Sequence, residues 1–262
     1  MNQAELTEII YETTDRVAQI TLNRPDKLNS LTAKMHEEFR LALDCIDQDP
    51  RIQILIIKGA GKGFCAGQDL SDPDLKLNHL GETLEINYNP LIYRLTTMKQ
   101  IVIASVHGVA AGAGCNLALA ADLTIASKSA SFIQAFIKIG LMPDAGGTWF
   151  LPKRIGLQKA MGLALTGEKI TGEQADQMGL IWKSFDEEIL ISETAQLANQ
   201  LAKMPGLALT EIKKAMQSSF NRTLVEQLAV ECEAQDRLGK TNDFHEGVSA
   251  FLEKRPARFN NS

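Results

Sequence analysis

No uninterrupted apolar run in the 262 residues approaches the roughly 18 that a membrane-spanning helix needs. Met1 is followed by Asn-Gln-Ala-Glu instead of a basic segment and an apolar stretch. These absences argue against a membrane span and a secretory leader, so the expected location is the cytoplasm. Metal-ligand spacing is missing as well. The four cysteines, Cys45, Cys65, Cys115 and Cys232, stand far apart without a CxxC, and no HExxH joins any of His36, His79, His107 and His245. No metal is expected, and scattered thiols in a chain of this length point to a reducing compartment, not to a disulfide framework. Neither GxxxxGK[ST] nor a complete dinucleotide fingerprint occurs, which leaves ATP and NAD without support. Positive charge is in the minority: 27 Lys and Arg face 32 Asp and Glu, a formal net charge of -5, with no Lys/Arg run. Such a field repels polyanions, so nucleic acid is not an expected partner.

What is present is the composition of a folded protein, 45% hydrophobic and 23% charged, long enough to bury a real core. Val17 to Leu22 (VAQITL) reads as a strand ending in a turn at Asn23-Arg24-Pro25-Asp26. Met35, Phe39, Leu43 and Ile46 recur at helical spacing behind an N-cap at Thr32, in a helix that stops before Pro50. IQILII from Ile52 to Ile57 and IVIASV from Ile101 to Val106 are short, apolar and β-branched, like strands covered on both faces. The first empties into a loop with Gly59, Gly61 and Gly63. The second leads past Gly108, Gly112 and Gly114 into the helix-compatible NLALA and a strand at LTIA. Thr171 with Gln174 predicts a capping box for a short helix that ends at Gly179. Beyond about Glu187 helical spacing takes over, with Pro205 separating two helices and Leu224, Leu228 and Glu231 in a third. Strands alternating with helices and then a helical tail predict an α/β core over residues 1–200 and a smaller helical region over 201–262. Residues 71–90, with Pro73 and Pro90, show no clean period and read as a loop over a site.

Three loop segments carry the candidate chemistry. In Phe64–Leu70 (FCAGQDL), small residues after a buried strand let the backbone approach a ligand and offer amide donors, although a tight turn is the commoner role of such glycines. Val109–Asn116 (VAAGAGCN) lies where a strand exit becomes a helix N-terminus, whose free amides favour negative charge; close packing is its commoner meaning. Leu141–Trp149 (LMPDAGGTW) sets Asp144 among apolar residues and glycines. A turn or cap is the ordinary role of such an aspartate, but desolvation in an apolar site would raise its pKa and make it a proton shuttle. Cys65 and Cys115 have no base partner in these segments and read as buried filler. His107, directly after IVIASV, reads as a hydrogen-bonded loop residue.

In this order, FCAGQDL, GVAAGAGCNLALAAD and MPDAGGTWFLP resemble the enoyl-CoA hydratase/isomerase family, the crotonase fold. The likeness runs from RPDKLNSL near the start to EGVSAFLEKRPARF at the end. It implies an α/β spiral of strand-strand-helix turns, a C-terminal all-helical region used in trimerisation, and a CoA thioester whose oxygen is gripped by two backbone amides. By motif position those amides belong to Gln68 and Ala113, with the helix beginning near Gly114 adding its dipole as charge develops on an enolate oxygen. Lys27, Ala66, Asp69 and Leu70 match positions that contact the adenine and pantetheine parts of the coenzyme, often through backbone atoms. Phe251 and Lys254 match positions that approach the coenzyme of a neighbouring subunit; helix packing and a solvated charge are their ordinary roles. Coenzyme A is then part of the substrate and no separate cofactor is implied. The expected partners are an acyl-CoA and further copies of the chain, in a homotrimer or a dimer of trimers.

Hydratases of the family use two glutamates, and the matching positions here are Asn116 and Phe136. Both are expected at the substrate; Phe136 and Trp149 suit an aromatic pocket there, although core packing is the commoner role of such residues. Asp144 is the remaining acid. At its position the family's dienoyl-CoA isomerases carry a proton-transferring aspartate and an aryl-CoA dehalogenase branch a nucleophilic one. The longer match, including NPLIYRL and MGLAL, most resembles the ring-epoxide isomerase branch of aerobic phenylacetate degradation. It implies conversion of ring-1,2-epoxyphenylacetyl-CoA to an oxepin thioester through an enolate, with Asp144 as shuttle and a 3-enoyl to 2-enoyl shift open to the same groups. Hydration, dehalogenase-like chemistry through a covalent Asp144, and a non-catalytic thioester-binding role stand as alternatives.

Overall fold

A tight turn at Asp15, whose φ is +52°, folds β1 (Ile9–Thr14) back on β2 (Val17–Leu22) as an antiparallel pair. The computed structural model describes residues 6–259, so the outer limits of the two expected units, residues 1–5 and 260–262, lie outside the described residues. α1 (Ala33–Gln48) begins as the sequence predicts: Thr32 Oγ1 accepts the Met35 amide at 3.0 Å, and Met35, Phe39, Leu43 and Ile46 are fully buried. β3 spans Ile54–Gly59 instead of the expected 52–57, because it starts where its parallel partner starts, Val17 facing Ile54 and Leu22 facing Gly59. Ile52 is buried all the same, but its N–H donates to Asp49 O at 3.2 Å in the turn that enters the strand.

The segment read as a loop over 71–90 is helical from residue 77 onward. A 3-10 turn (Leu77–His79), α2 (Leu80–Thr83), a π turn (Leu84–Tyr88) and α3 (Asn89–Thr97) follow one another without a break. Pro90 does not interrupt them, since the π turn ahead of it resets the ladder, Asn89 N–H reaching back to Leu84 O, and the missing N–H falls at the junction with α3. Leu84, Tyr88, Leu91 and Leu95 pack on the core at spacings of four, three and four residues, a period that the proline obscured.

β4 (Ile101–Val106) lies at the predicted residues and is buried throughout. After it come β5 (Val109–Ala111), α4 (Ala113–Leu119), β6 (Leu123–Ser127), β7 (Ser131–Ile133) and α5 (Gly147–Thr166), which kinks at Gly156. β8 (Lys169–Thr171), α6 (Gly172–Gln177) and β9 (Lys183–Phe185) complete the core, α6 carrying the predicted capping box and ending before Gly179, whose φ is +79°. One sheet has the strand order β1-β2-β3-β4-β6-β9, parallel except at the β1–β2 pair, and a second has the order β5-β7-β8. The chain alternates between the sheets, β4 then β5, β6 then β7, which is the spiral of strand-strand-helix turns that the motifs implied.

Period-two alternation gives the large sheet two apolar faces. Leu55, Ile57, Val102 and Ala104 join α1, α3 and α4 on one side; Ile54, Ile56, Ile101 and Ile103 lie under α7 (Leu190–Ala202) on the other. α8 (Gly206–Ser219, N-capped by Pro205), α9 (Leu224–Leu238) and α10 (Asn242–Glu253) form the helical tail. Lys213 anchors α8, its Nζ donating to Leu95 O at 3.0 Å and Gln100 O at 2.9 Å and pairing with Asp122 at 2.8 Å. Among the described residues no helix is long and apolar enough to cross a membrane, and no three His, Cys, Asp or Glu side chains group as metal ligands would.

Candidate active site

Asn29, fully buried, binds the first loop to the second: Nδ2 donates to Ala60 O at 2.8 Å and Gly63 O at 2.7 Å, and Oδ1 accepts the Arg24 amide at 2.8 Å. Leu28 and Asn29 both have positive φ, +47° and +56°, and Leu28 O accepts the Ala66 N–H at 2.9 Å. Leu31 then donates to Gly67 O at 2.7 Å and accepts from Asp69 N at 2.9 Å. These two bonds straddle Gln68, as a parallel bridge between Leu31 and Gln68 requires, and leave the Gln68 N–H directed to the opposite side.

On that opposite side runs the exit from β4. Cys65 N donates to Val109 O at 3.0 Å and Ala111 N to Cys65 O at 2.9 Å. The two backbones are in contact: a Cβ on Gly114 would overlap Cys65 O, and one on Gly67 would meet Ala111 O at 2.9 Å and Ala113 N at 3.5 Å. Gly112, at φ +53° and ψ -128°, turns the chain into α4 so that Ala113 is its first residue, whose N–H has no partner within the helix. Neither the Gln68 N–H nor the Ala113 N–H donates to an acceptor among the described residues. Two neighbouring strand exits thus present two free amides side by side.

Asp144 lies in the loop between the 3-10 turn Ala135–Ile139 and α5. Its main-chain oxygen accepts from Asn116 Nδ2 and from Gly147 N, both at 2.8 Å. Gly147 passes so close to Asn116 that any Cβ there would overlap the amide nitrogen. The Asp144 carboxyl is half-buried, its Oδ1 has no partner among the described residues, and burial pushes its pKa up to about 6. A carboxyl with that pKa is ionised at neutral pH yet easily reprotonated, which suits a group that must take a proton and give it back.

The other expected residues divide into three groups. Phe136 is buried beside the amide turn, its Cζ 3.8 Å from where a Gly112 Cβ would sit. Lys27, Ala66 and Leu70 border the latched loops, Lys27 and Leu70 exposed. Asp69 has its carboxylate turned inward, to Arg24 Nη2 at 2.9 Å and to Ser71 N at 3.0 Å and Oγ at 2.6 Å, and those bonds, Ser71 first, hold its pKa at about 2. Gly114, in the first turn of α4 as the dipole reading requires, and Asn116, expected at the substrate, are both enclosed. Gly114 packs on Cys65, and the Asn116 amide is committed at both ends, accepting from Gln134 Nε2 at 2.8 Å while it holds Asp144 O. Phe251 and Lys254 sit exposed at the end of α10, not on the elements that build the amide turns. Trp149 does not join Phe136. It lies under Lys153 Nζ at 3.5 Å from the ring centroid and lines a cavity of about 450 Å³ with Phe150, Lys153, Arg154 and Phe220, in which none of Gln68, Ala113 and Asp144 takes part.

Cys65 and Cys115 are the buried fillers the sequence predicts, burial pushing each thiol up to about 12, and His107 pairs with Gly61 O at 2.9 Å. Sequence reasoning missed Tyr88. Its hydroxyl donates to Gln68 Oε1 at 2.7 Å, and its ring meets the buried His36 ring edge-on with centroids 4.3 Å apart. The signal was the four-three-four spacing around Pro90.

Residues 12–262 match the family described as enoyl-CoA hydratase/isomerase. The chain is 47% identical over 247 residues to the 1,2-epoxyphenylacetyl-CoA isomerase of Escherichia coli K12, covering 93% of this chain and 94% of that protein. It is 37% identical to the 2,3-dehydroadipyl-CoA hydratase of the same organism, over 97% of this chain and 99% of that one. Among solved structures, an enoyl-CoA hydratase from Bacillus anthracis superposes with a TM-score of 0.93 at 30% identity, over 98% of this chain and 100% of that one.

Proposed function

The chain belongs to the enoyl-CoA hydratase/isomerase family, and from that premise we propose that it is an isomerase of CoA thioesters that turns ring-1,2-epoxyphenylacetyl-CoA into its oxepin isomer. The observation that carries the reading is the pairing of two free amides, Gln68 and Ala113, with one carboxyl whose pKa is raised to about 6, Asp144. The thioester oxygen accepts from both amides, which stabilise the negative charge that grows there when a proton leaves the adjacent carbon. Asp144 takes that proton. The ring C–C bond of the epoxide opens to give the seven-membered ring, and the proton returns to a ring carbon, so the mass does not change. The same amides and carboxyl suit movement of a double bond from the 3 to the 2 position of an enoyl-CoA. The 47% identity to a protein named for the epoxide reaction supports this choice of substrate.

Hydration needs acid and base groups that activate and protonate water. Position 116 holds an amide committed inside the protein, and position 136 a phenyl ring. The reading includes a cytoplasmic enzyme without a separate cofactor, assembled as a homotrimer or a dimer of trimers. Exposed Leu157, Met161, Met216, Val225 and Leu228 on α5, α8 and α9, with Phe220 at the α8 C-cap, are apolar surface that such an assembly would cover.

The test is to follow the purified protein by mass spectrometry and ultraviolet absorbance against 1,2-epoxyphenylacetyl-CoA and, in parallel, a 3-enoyl-CoA. A changed spectrum at unchanged mass is the expected result. Gain of one water would replace isomerisation by hydration, and inertness toward both thioesters would remove the proposed substrate class.

A further inference from the structure

We propose that Tyr88 is a positioning residue for the amide pair: by holding the Gln68 side chain, its hydroxyl fixes the direction of the Gln68 N–H and so the place of a thioester oxygen relative to Asp144. The inference rests on the reading of Gln68 as an amide donor. Leu31 restrains the Gln68 segment along one side through its bonds to Gly67 O and Asp69 N. The other side carries the free N–H and is left open by design of the bridge, so the peptide could rock about that one-sided support. What opposes rocking is the side chain. Gln68 folds back so that Nε2 donates to Asp69 O at 3.1 Å while Oε1 accepts from Tyr88 at 2.7 Å.

Tyr88 is a firm anchor. It is 3% exposed, packed against the His36 ring, and it closes the π turn Leu84–Tyr88, an irregularity of the kind that accompanies functional positions. Burying a hydroxyl is unfavourable unless it is hydrogen-bonded, and packing alone would be served by phenylalanine. The bond that satisfies this hydroxyl reaches the side chain of the amide-bearing residue, twenty positions away in sequence. Burial above all, with the charge of Asp144 adding to it, opposes its ionisation, so it remains a donor and lies within electrostatic reach of the candidate base.

The experiment uses Tyr88→Phe, which removes the hydroxyl and keeps the ring, and an unreactive conjugated probe, 4-hydroxycinnamoyl-CoA. Amide donors that polarise the thioester carbonyl shift the probe's absorbance to longer wavelength on binding. Expected are an unchanged melting temperature, a probe Kd within about twofold of wild type, a smaller wavelength shift, and a kcat about tenfold lower at unchanged KM. Gln68→Leu should reproduce these changes, and the double variant should add nothing. A full wavelength shift with normal kcat in Tyr88→Phe would overturn the inference, as would parallel losses of melting temperature and probe affinity, which mark a packing residue. Wild-type protein that binds the probe without any shift would remove the amide-donor reading itself, and that failure is visible before any substitution is made.

Discussion

Asn116 Nδ2 donates to the main-chain oxygen of Asp144 at 2.8 Å, and Gln134 Nε2 donates to Asn116 Oδ1 at the same distance. One amide therefore joins α4, the residue before the 3-10 turn, and the loop that bears the acid. A carboxylate at 116 could accept from Gln134 but would have nothing to donate to Asp144 O. The amide at position 116 is thus a brace for the loop that carries Asp144, the proposed base.

Asn116→Asp is expected to destabilise the protein by about 2–4 kcal/mol, because it breaks that brace and places a charge at a fully enclosed position. It should not create a hydratase. Urea denaturation and the mass of the product formed from a 2-enoyl-CoA check both statements; a stable variant that adds water would contradict them.

Asp144→Asn should keep thioester binding and lose at least about a hundredfold in turnover. It should also raise stability at pH 8. The folded-state pKa is raised from 3.8 to about 6 by burial, so the native protein carries a poorly solvated charge above pH 6 that the unfolded chain would solvate freely. Asparagine removes that penalty, at most about 3 kcal/mol. The stability gain should be absent below pH 4 and grow between pH 4 and 6. Melting temperatures of both proteins across that range test it, and a gain independent of pH would show that charge is not its origin.

Wild-type kcat/KM should fall as pH drops through about 6, since Asp144 must be ionised to take the first proton. The decline should reach about tenfold per pH unit further down. A limb centred near 4, the range of a solvated carboxyl, would exclude Asp144 as the base.

His36 should set part of the acid sensitivity. Burial first, and then the charge of Arg40, lowers its pKa from 6.5 to about 3, so its neutral form belongs to the native state. The stability this confers is complete above pH 6.5 and is lost as pH falls toward 3, at up to about 1.4 kcal/mol per unit. His36→Phe keeps a ring against Tyr88 and should flatten the loss between pH 6.5 and 4 in denaturation experiments. An equally steep decline in the variant would place the acid sensitivity in other groups.

Much of the architecture was legible because burial and period coincide: β2 and β4 lie at the predicted residues, and Thr32 and Thr171 cap the helices that follow them. The start of β3 was not, since Val17 in another strand sets it. β5, β7 and β8 escaped notice because three-residue strands are too short to show a period. Of the site, Asp144 and the glycine turns could be found from local sequence, because apolar flanks and missing side chains act locally. The inward commitment of Asn116, the separation of Trp149 from Phe136, and the Tyr88–Gln68 bond depend on segments brought together by the fold.

The bridge that turns the Gln68 N–H away from Leu31 has a bearing on how this site shows itself in mutagenesis. Both proposed oxygen ligands are peptide groups, which an alanine scan leaves intact, so a survey of that kind would register at 68 only the loss of the side-chain tether to Tyr88 and at Ala113 nothing at all. Proline, or an ester in place of the amide, at 68 and 113 would reveal them. Selection against drift should fall on Gly67 and Gly114, where a single added methyl group forces the two strand exits apart.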